Sequence, residues 1–302
     1  MPAGDLVVSA STDGTVRTWQ TSDGKLIQTL DCDGLGTMMA SPDGRLVAIA
    51  AFEATRTTTT SVWLLGVQDG TRRPLVGQTA QIQATAFSGD GTLVAATGYG
   101  PASTVVWRVE DATVIQSFAP KIHDDGEAVG RAIAVSHDGR LLAAAYMPHS
   151  NGVHGGQILI WDLTTGNEIQ RHSIPSPPNR DKPSAWSLAF NRSGSHLAAS
   201  TSDDEYGAFV FPVAGGDRVL FGQGSTRHVS FSDDGRSLTV LRWNQGYERW
   251  RVAEKTLETR TGGLPTGTGI RVVGVSGDGR TTAVTEDYNG YIVSLWRSPS
   301  PS

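Results

Sequence analysis

The chain has 302 residues, a net charge of −5, 18% charged side chains, 36 Gly, 8 Trp and a single Cys. That charge balance argues against a nucleic-acid partner, whose recognition needs a basic stripe to displace counterions from phosphates. Cys32, standing alone, excludes an intramolecular disulfide framework and a four-cysteine zinc site, and no apolar run approaches the roughly 18 residues that read as a membrane-spanning helix.

At the N-terminus, Met1-Pro-Ala-Gly-Asp5 carries no basic flank, so no secretory signal is expected and the cytoplasm is the expected location. Met1-Pro-Ala-Gly-Asp-Leu-Val-Val aligns column by column with Ser41-Pro-Asp-Gly-Arg-Leu-Val-Ala further on. The first unit of the chain is therefore read as entering at a turn, without a first strand of its own. Ser9 to Trp19 reads as strand, turn and strand, and Lys25 to Leu30 as a further strand. The Ser41 segment returns as Ser88-Gly-Asp-Gly-Thr-Leu-Val-Ala and Ser136-His-Asp-Gly-Arg-Leu-Leu-Ala, with weaker copies from Asn191, Ser232 and Ser276. The turn glycines Gly44, Gly91, Gly139, Gly194, Gly235 and Gly279 are spaced by 47, 48, 55, 41 and 44 residues. An aromatic residue follows each turn: Trp63, Trp107, Trp161, Phe211, Trp250 and Trp296, with Trp19 ahead of them all.

One unit shows the anatomy. A short apolar run at Ala84 ends in the Asp-Gly turn. Leu93 to Thr97 follows, then a loop, then Thr104 to Val109 with its Trp, then a turn and Thr113 to Phe118. Such runs, rich in Val, Ile, Thr and aromatics and bounded by Gly, Asp and Pro, predict strands, here named A to D. Four strands in about 45 residues predict a β-propeller blade. The expected architecture is a single all-β domain, 1–302, of four-stranded antiparallel blades near 1–35, 36–79, 80–122, 123–178, 179–223, 224–266 and 267–302. Seven blades with incomplete first and last members are favoured. The alternative is six, with Lys25 to Leu30 completing the last. The strand-C aromatics are assigned to the core between blades.

These residues resemble the WD-repeat propellers. Trp161-Asp162 is the family dipeptide, and Ser9-Ala-Ser-Thr-Asp-Gly-Thr-Val-Arg-Thr-Trp19 looks like a family strand B, turn and strand C. The resemblance covers essentially the whole chain and implies a propeller that binds protein partners. The Gly-His dipeptide that usually precedes strand A is missing, and the Asp of the B–C turn is clear only at Asp13. The family's buried Asp-His-Ser-Trp network is therefore not expected in most blades.

The A–B and C–D turns are short and uniform. The B–C and D–A connections vary, as at Phe52 to Thr60, Pro120 to Gly130, Met147 to Gly156 and Ile174 to Ala185. Variable loops on a rigid scaffold are where binding residues sit. Counting back four residues from the last apolar residue of each strand A gives Gly36, Gln83, Arg131, Trp186, Arg227 and Arg271. This places three arginines and a tryptophan at the mouth of the propeller channel, where they would favour an anionic group. The competing reading pairs each Arg with a nearby acid such as Asp124, Asp125, Glu127, Asp181 or Glu286. Phe52, Tyr99, Tyr206, Trp243 and Tyr288 form a wider set of candidate contacts in or near the B–C loops, since Tyr, Trp and Arg dominate interface energetics.

Catalytic and metal signatures are sparse. His149 and His154, with His123, Asp124 and Asp125, make a blade-four metal site conceivable, but no strand spacing holds them. Asp31-Cys-Asp-Gly34 begins like a calcium loop and lacks the following ligands. Neither metal nor cofactor is expected. The leading reading is a non-catalytic, bacterial-type scaffold for a protein or peptide partner, an acidic one suiting the arginines, with no nucleic acid or membrane involved. The alternatives are a propeller hydrolase or lyase acting on an anionic small molecule in the channel, and a sensor domain detached from a larger signalling protein.

Overall fold

The computed structural model describes residues 6–11, 14–20, 22–31, 37–51, 61–77, 81–100, 103–122, 128–148, 155–174, 184–201, 207–242, 246–261, 270–275, 281–286 and 293–297, the last three segments as backbone only. Every regular element among them is a strand, and no helix is long and apolar enough to cross a membrane. The strands form seven consecutive antiparallel meanders. The first holds β1 (Leu6–Ser11), β2 (Thr15–Gln20) and β3 (Leu26–Asp31). The second holds β4 (Thr37–Ala40), β5 (Leu46–Ala51), β6 (Ser61–Gly66) and β7 (Arg72–Leu75). The third holds β8 (Ile82–Phe87), β9 (Leu93–Gly98), β10 (Thr104–Arg108) and β11 (Val114–Phe118). The fourth holds β12 (Ala128–Val135), β13 (Leu141–Pro148), β14 (Gln157–Asp162) and β15 (Glu168–Ser173). The fifth holds β16 (Ala185–Phe190), β17 (His196–Thr201), β18 (Ala208–Pro212) and β19 (Val219–Phe221). The sixth holds β20 (Thr226–Phe231), β21 (Ser237–Arg242), β22 (Gly246–Arg251) and β23 (Thr256–Thr261), and the seventh β24 (Ile270–Val275), β25 (Thr281–Glu286) and β26 (Val293–Arg297).

These are propeller blades: five four-stranded sheets, preceded and followed by one of three strands. β3 pairs beside β2 in a sheet with β1, and these sheets are consistent with the expected six to seven blades. By compactness the chain divides into two units. One comprises Met1–Ser9, Trp19–Lys25 and Trp186–Ser302, and the other Ala10–Thr18 and Leu26–Ala185.

The repeated Ser-x-Asp-Gly segment is a hydrogen-bonded device. Ser41 Oγ donates to Asp43 Oδ1 (2.6 Å) and accepts from the Leu46 N–H (2.9 Å), while Asp43 Oδ1 also accepts from the Arg45 N–H (3.0 Å). Gly44 takes φ of +68°, which a side chain would strain. Ser88–Asp90, Ser136–Asp138 and Ser232–Asp234 repeat the arrangement. At Asp234 the hydrogen bonds from Ser232 and from the Arg236 N–H hold the carboxyl below its usual range. In the fifth blade Asn191 substitutes, its Oδ1 accepting from the His196 N–H (3.0 Å).

Strand B is buried through its middle, as in Val94-Ala95-Ala96 and Leu142-Ala143-Ala144-Ala145. A central strand covered on both faces reads as a continuous apolar run, and small Ala side chains let neighbouring sheets approach. Strand C adds the aromatic wedge. Trp107 is fully buried and packs with Leu75 of the preceding blade, its Nε1 donating to the Val76 carbonyl (2.7 Å). Trp161 stacks on Phe118 at 4.8 Å, and Trp250 meets Phe221 edge-on at 6.0 Å. One marker needs correcting. Val47 pairs with Leu65, as Val94 pairs with Trp107, so Leu65 rather than Trp63 holds this place in the second blade. Trp63 lies two residues earlier and is half-buried.

Threonine and tyrosine hydroxyls supply inter-blade polar contacts. Thr97 Oγ1 bonds Thr104 Oγ1 (2.7 Å), which bonds the Tyr146 hydroxyl of the next blade (2.5 Å). Gly130 makes this approach possible, because a Cβ there would lie 1.9 Å from Thr97 Oγ1. Between the fifth and sixth blades, Thr226 Oγ1 accepts from the Thr201 N–H (2.9 Å).

Candidate functional site

Strand A enters its blade at the end carrying the B–C and D–A connections, and in three blades a register shift interrupts it there. In β8 the shift falls between Ile82 and Ala84, in β12 between Gly130 and Ala132, and in β20 between Thr226 and His228. Gln83, Arg131 and Arg227 are thus bulge residues at equivalent places. A β-bulge breaks the ladder locally and re-aims the side chain. In β24 the shift falls between Val272 and Gly274, and Arg271 stays in the ladder opposite Thr285, so its register differs. The Arg271 side chain lies outside the described residues.

Arg227 sits with its guanidinium carbon 4.5 Å from the centre of the Trp186 ring, and Trp186 is 42% exposed. Both belong to the same compact unit. In the other unit, the half-buried Arg131 donates from Nε to Met147 Sδ (3.0 Å). Gln83 is likewise half-buried. Tyr99 ends its strand, with its N–H bonded to the Gln81 carbonyl (3.0 Å) and a bridge to Val129. Phe52, Tyr206, Trp243 and Tyr288 lie outside the described residues, as do His123, Asp124, Asp125, His149 and His154. Among the described residues no group of His, Cys, Asp and Glu could hold a metal ion.

Beside the stacked pair, Ser187 Oγ lies 3.1 Å from His228 Nδ1. His228 keeps some contact with solvent, yet its imidazole is enclosed enough that burial pushes its pKa down to about 4. A serine beside a neutral histidine has the parts of a nucleophile and a base. Here the base is weakened, and among the described residues no carboxylate orients it.

A second feature gave its signal in one residue. Two positions before the strand-C marker stand Val105, Leu159 and Phe209, all buried, and in the sixth blade Glu248, 1% exposed. Glu248 accepts from Trp250 Nε1 (3.0 Å) and from Arg260 Nε (2.9 Å), and Arg242 Nε lies 3.0 Å away. An acid in a column that is apolar in the third, fourth and fifth blades was legible in the sequence, whereas its arginine partners were not. Ser187 and His228 carried no sequence signal, since 41 residues separate them.

The family model of the WD domain, G-beta repeat, matches residues 1–20. None of the curated proteins matches the chain. Among solved structures, Kuenenia stuttgartiensis Hydrazine Synthase is similar with a TM-score of 0.73, over 98% of this chain and 93% of that one, at 13% identity. An identity that low speaks to the fold alone, and this fold hosts unrelated functions. The fold is that of a β-propeller, and residues 1–20 are similar to a WD repeat.

Proposed function

We propose that the chain is a non-catalytic scaffold that docks a protein or peptide partner at the B–C and D–A end of its blades, with Arg227 and Arg271 beside Trp186 in one unit reading an acidic group and Arg131 beside Gln83 in the other offering further contacts. The observation that carries this is the stacking of Arg227 on the exposed ring of Trp186. Stacking engages only the face of a guanidinium, and the in-plane N–H groups of an arginine form the fork that matches a carboxylate. A large exposed aromatic beside an arginine is also the usual composition of an interface anchor. The same reading takes 1–302 as one domain of a cytoplasmic bacterial protein whose partner is neither nucleic acid nor membrane. The test compares partner capture by the unaltered protein and by an Arg131→Ala, Arg227→Ala, Arg271→Ala triple variant. Capture is expected to fall at least tenfold, and equal capture would remove this end as the docking site.

A hydrolase reading rests on the Ser187–His228 contact. It requires ester or amide turnover that Ser187→Ala abolishes. Turnover indifferent to that change, or none at all, would leave the scaffold reading standing.

A further inference from the structure

At the turn end of the blades, strand D of one sheet lies over the C–D turn of the next. Leu30 of β3 rests on Gly70, its Cδ2 being 3.2 Å from the place of a Cβ there. Arg73 of β7 reaches the following turn, donating from Nη1 to the Glu110 carbonyl (2.5 Å) and from Nη2 to the Val109 carbonyl. Gln116 of β11 lies over Gly166, its Nε2 being 3.2 Å from the corresponding Cβ position.

The pairing register makes Arg73 and Gln116 equivalents. Leu64, Val106, Ile160, Val210 and Arg249 occupy one place in strand C, and their partners in strand D are Arg73, Gln116, Gln170, Val219 and Thr259. Three of the five are long and polar, but the fifth blade has a valine and the sixth a threonine. Val219 is too short to reach the next turn, and β19 is only three residues long. A groove of about 770 Å³ opens there between the fifth and sixth blades.

Its geometry indicates what is missing. The turn facing the groove, Arg251 to Lys255, repeats the turn that Arg73 covers, Arg108 to Ala112. Lys255 and Ala112 share a positive φ (56° and 59°), and Val252 and Val109 donate to the equivalent carbonyls of Arg236 and Thr92. The carbonyls of Val252 and Ala253 therefore stand where Arg73 finds those of Val109 and Glu110. Val210, Val219, Phe231 and Val252 line the groove with apolar surface, suited to a methylene stem. Arg236, Arg249 and Arg251 also line it; of its acids, Glu258 is already shared by Arg249 (3.1 Å) and Arg251 (2.7 Å) and Asp234 is held by Ser232 (2.6 Å) and the Arg236 N–H (3.0 Å), whereas Glu254 has no ion pair among the described residues.

We infer that this groove takes an arginine side chain from a protein partner, laid as Arg73 is laid in the second blade. The stem packs on Val219 and Val252, and the guanidinium meets the Val252 and Ala253 carbonyls and the Glu254 carboxylate. This site lies at the opposite end of the blades from Trp186 and Arg227 and stands without them.

The experiment titrates the methyl-labelled full chain with the blocked tripeptide Val-Arg-Val and with its citrulline counterpart, which keeps the shape and loses the charge. The arginine peptide is expected to shift the methyl signals of Val210, Val219 and Val252 with a Kd of about 1–10 mM, as suits a single anchored side chain. The citrulline peptide should bind at least fivefold more weakly. Val219→Arg should place the missing side chain in cis, raise Tm by about 1–4 °C and abolish the peptide shifts. Should that variant fail to fold, the exposed Glu254→Lys serves instead, weakening the arginine peptide at least threefold. Absence of shifts at about 10 mM, equal binding of the two peptides, or binding unchanged in the folded variants would overturn the inference.

Discussion

The guanidinium of Arg227 lies 4.5 Å from the centre of the Trp186 ring, a contact between the first strands of two successive blades. At an exposed site such a contact contributes only about 0.5–1 kcal/mol to stability. Arg227→Ala should therefore shift Tm by no more than about 1–3 °C while reducing partner capture strongly. Trp186→Ala should do the same. Thermal melts and capture measured on the same preparations separate the two effects. A large Tm loss with unchanged capture would assign the pair to stability rather than to docking.

Glu248 is buried against Arg242, whose side chain is 10% exposed, and against Arg260, which is 61% exposed. Removing the acid strands a charge inside the blade, so Glu248→Ala should cost about 3–5 kcal/mol. Arg260→Ala, at the exposed partner, should cost about 1 kcal/mol or less. Denaturant titrations of the two variants check this ordering.

His228, with its pKa lowered to about 4, binds a proton less readily when folded than when unfolded. Between its unfolded value of about 6.5 and its folded value, the unfolded chain holds more protons, so this contribution to stability is complete above about pH 6.5 and is lost as the pH falls towards the folded pKa. Replacing His228 by Asn should flatten that part of the stability profile by about 1–3 kcal/mol. Unfolding free energies measured from pH 4 to 7.5 would show it. An unchanged slope would mean that the imidazole is not enclosed.

The Tyr146 hydroxyl, pushed up to about 12 by burial, stays protonated through the neutral range and bonds Thr104 across the blade boundary. Tyr146→Phe should cost about 1–2 kcal/mol, because it leaves buried threonine hydroxyls short of a partner. Gly130→Ala should cost more, since its new Cβ would meet Thr97 Oγ1 at 1.9 Å. The order of the two midpoints in urea is the measurement. Here the threonine–tyrosine contacts stand in blades for which the WD-repeat network was not expected.

The blade period, the strands and the Ser-x-Asp-Gly turns were all legible in the chain itself. Turn chemistry acts within five residues, as in the Ser41–Asp43–Leu46 set, and strand signals repeat every second residue. Counting from the turns also located Gln83, Arg131 and Arg227 at equivalent positions. The same count cannot see a register shift, and in β24 that shift moves past Arg271 to the next pair of residues. Counting by aromatic residues likewise selected Trp63 where the pairing selects Leu65.

What the sequence determined by itself was thus local: hydrogen-bonded turns, alternating strands and the need of each apolar sheet for a neighbour. The tertiary structure decided which side chains meet across that neighbour. Trp186 on Arg227 and Ser187 beside His228 are contacts between sheets, set by bulges and by how closely the sheets pack, while Glu248 opposite Arg260 is a pair across one sheet, set by its register. The groove left by Val219 belongs to the same level. One short side chain means little in a strand, and becomes an opening only when the next blade places two carbonyls where a longer one would have reached.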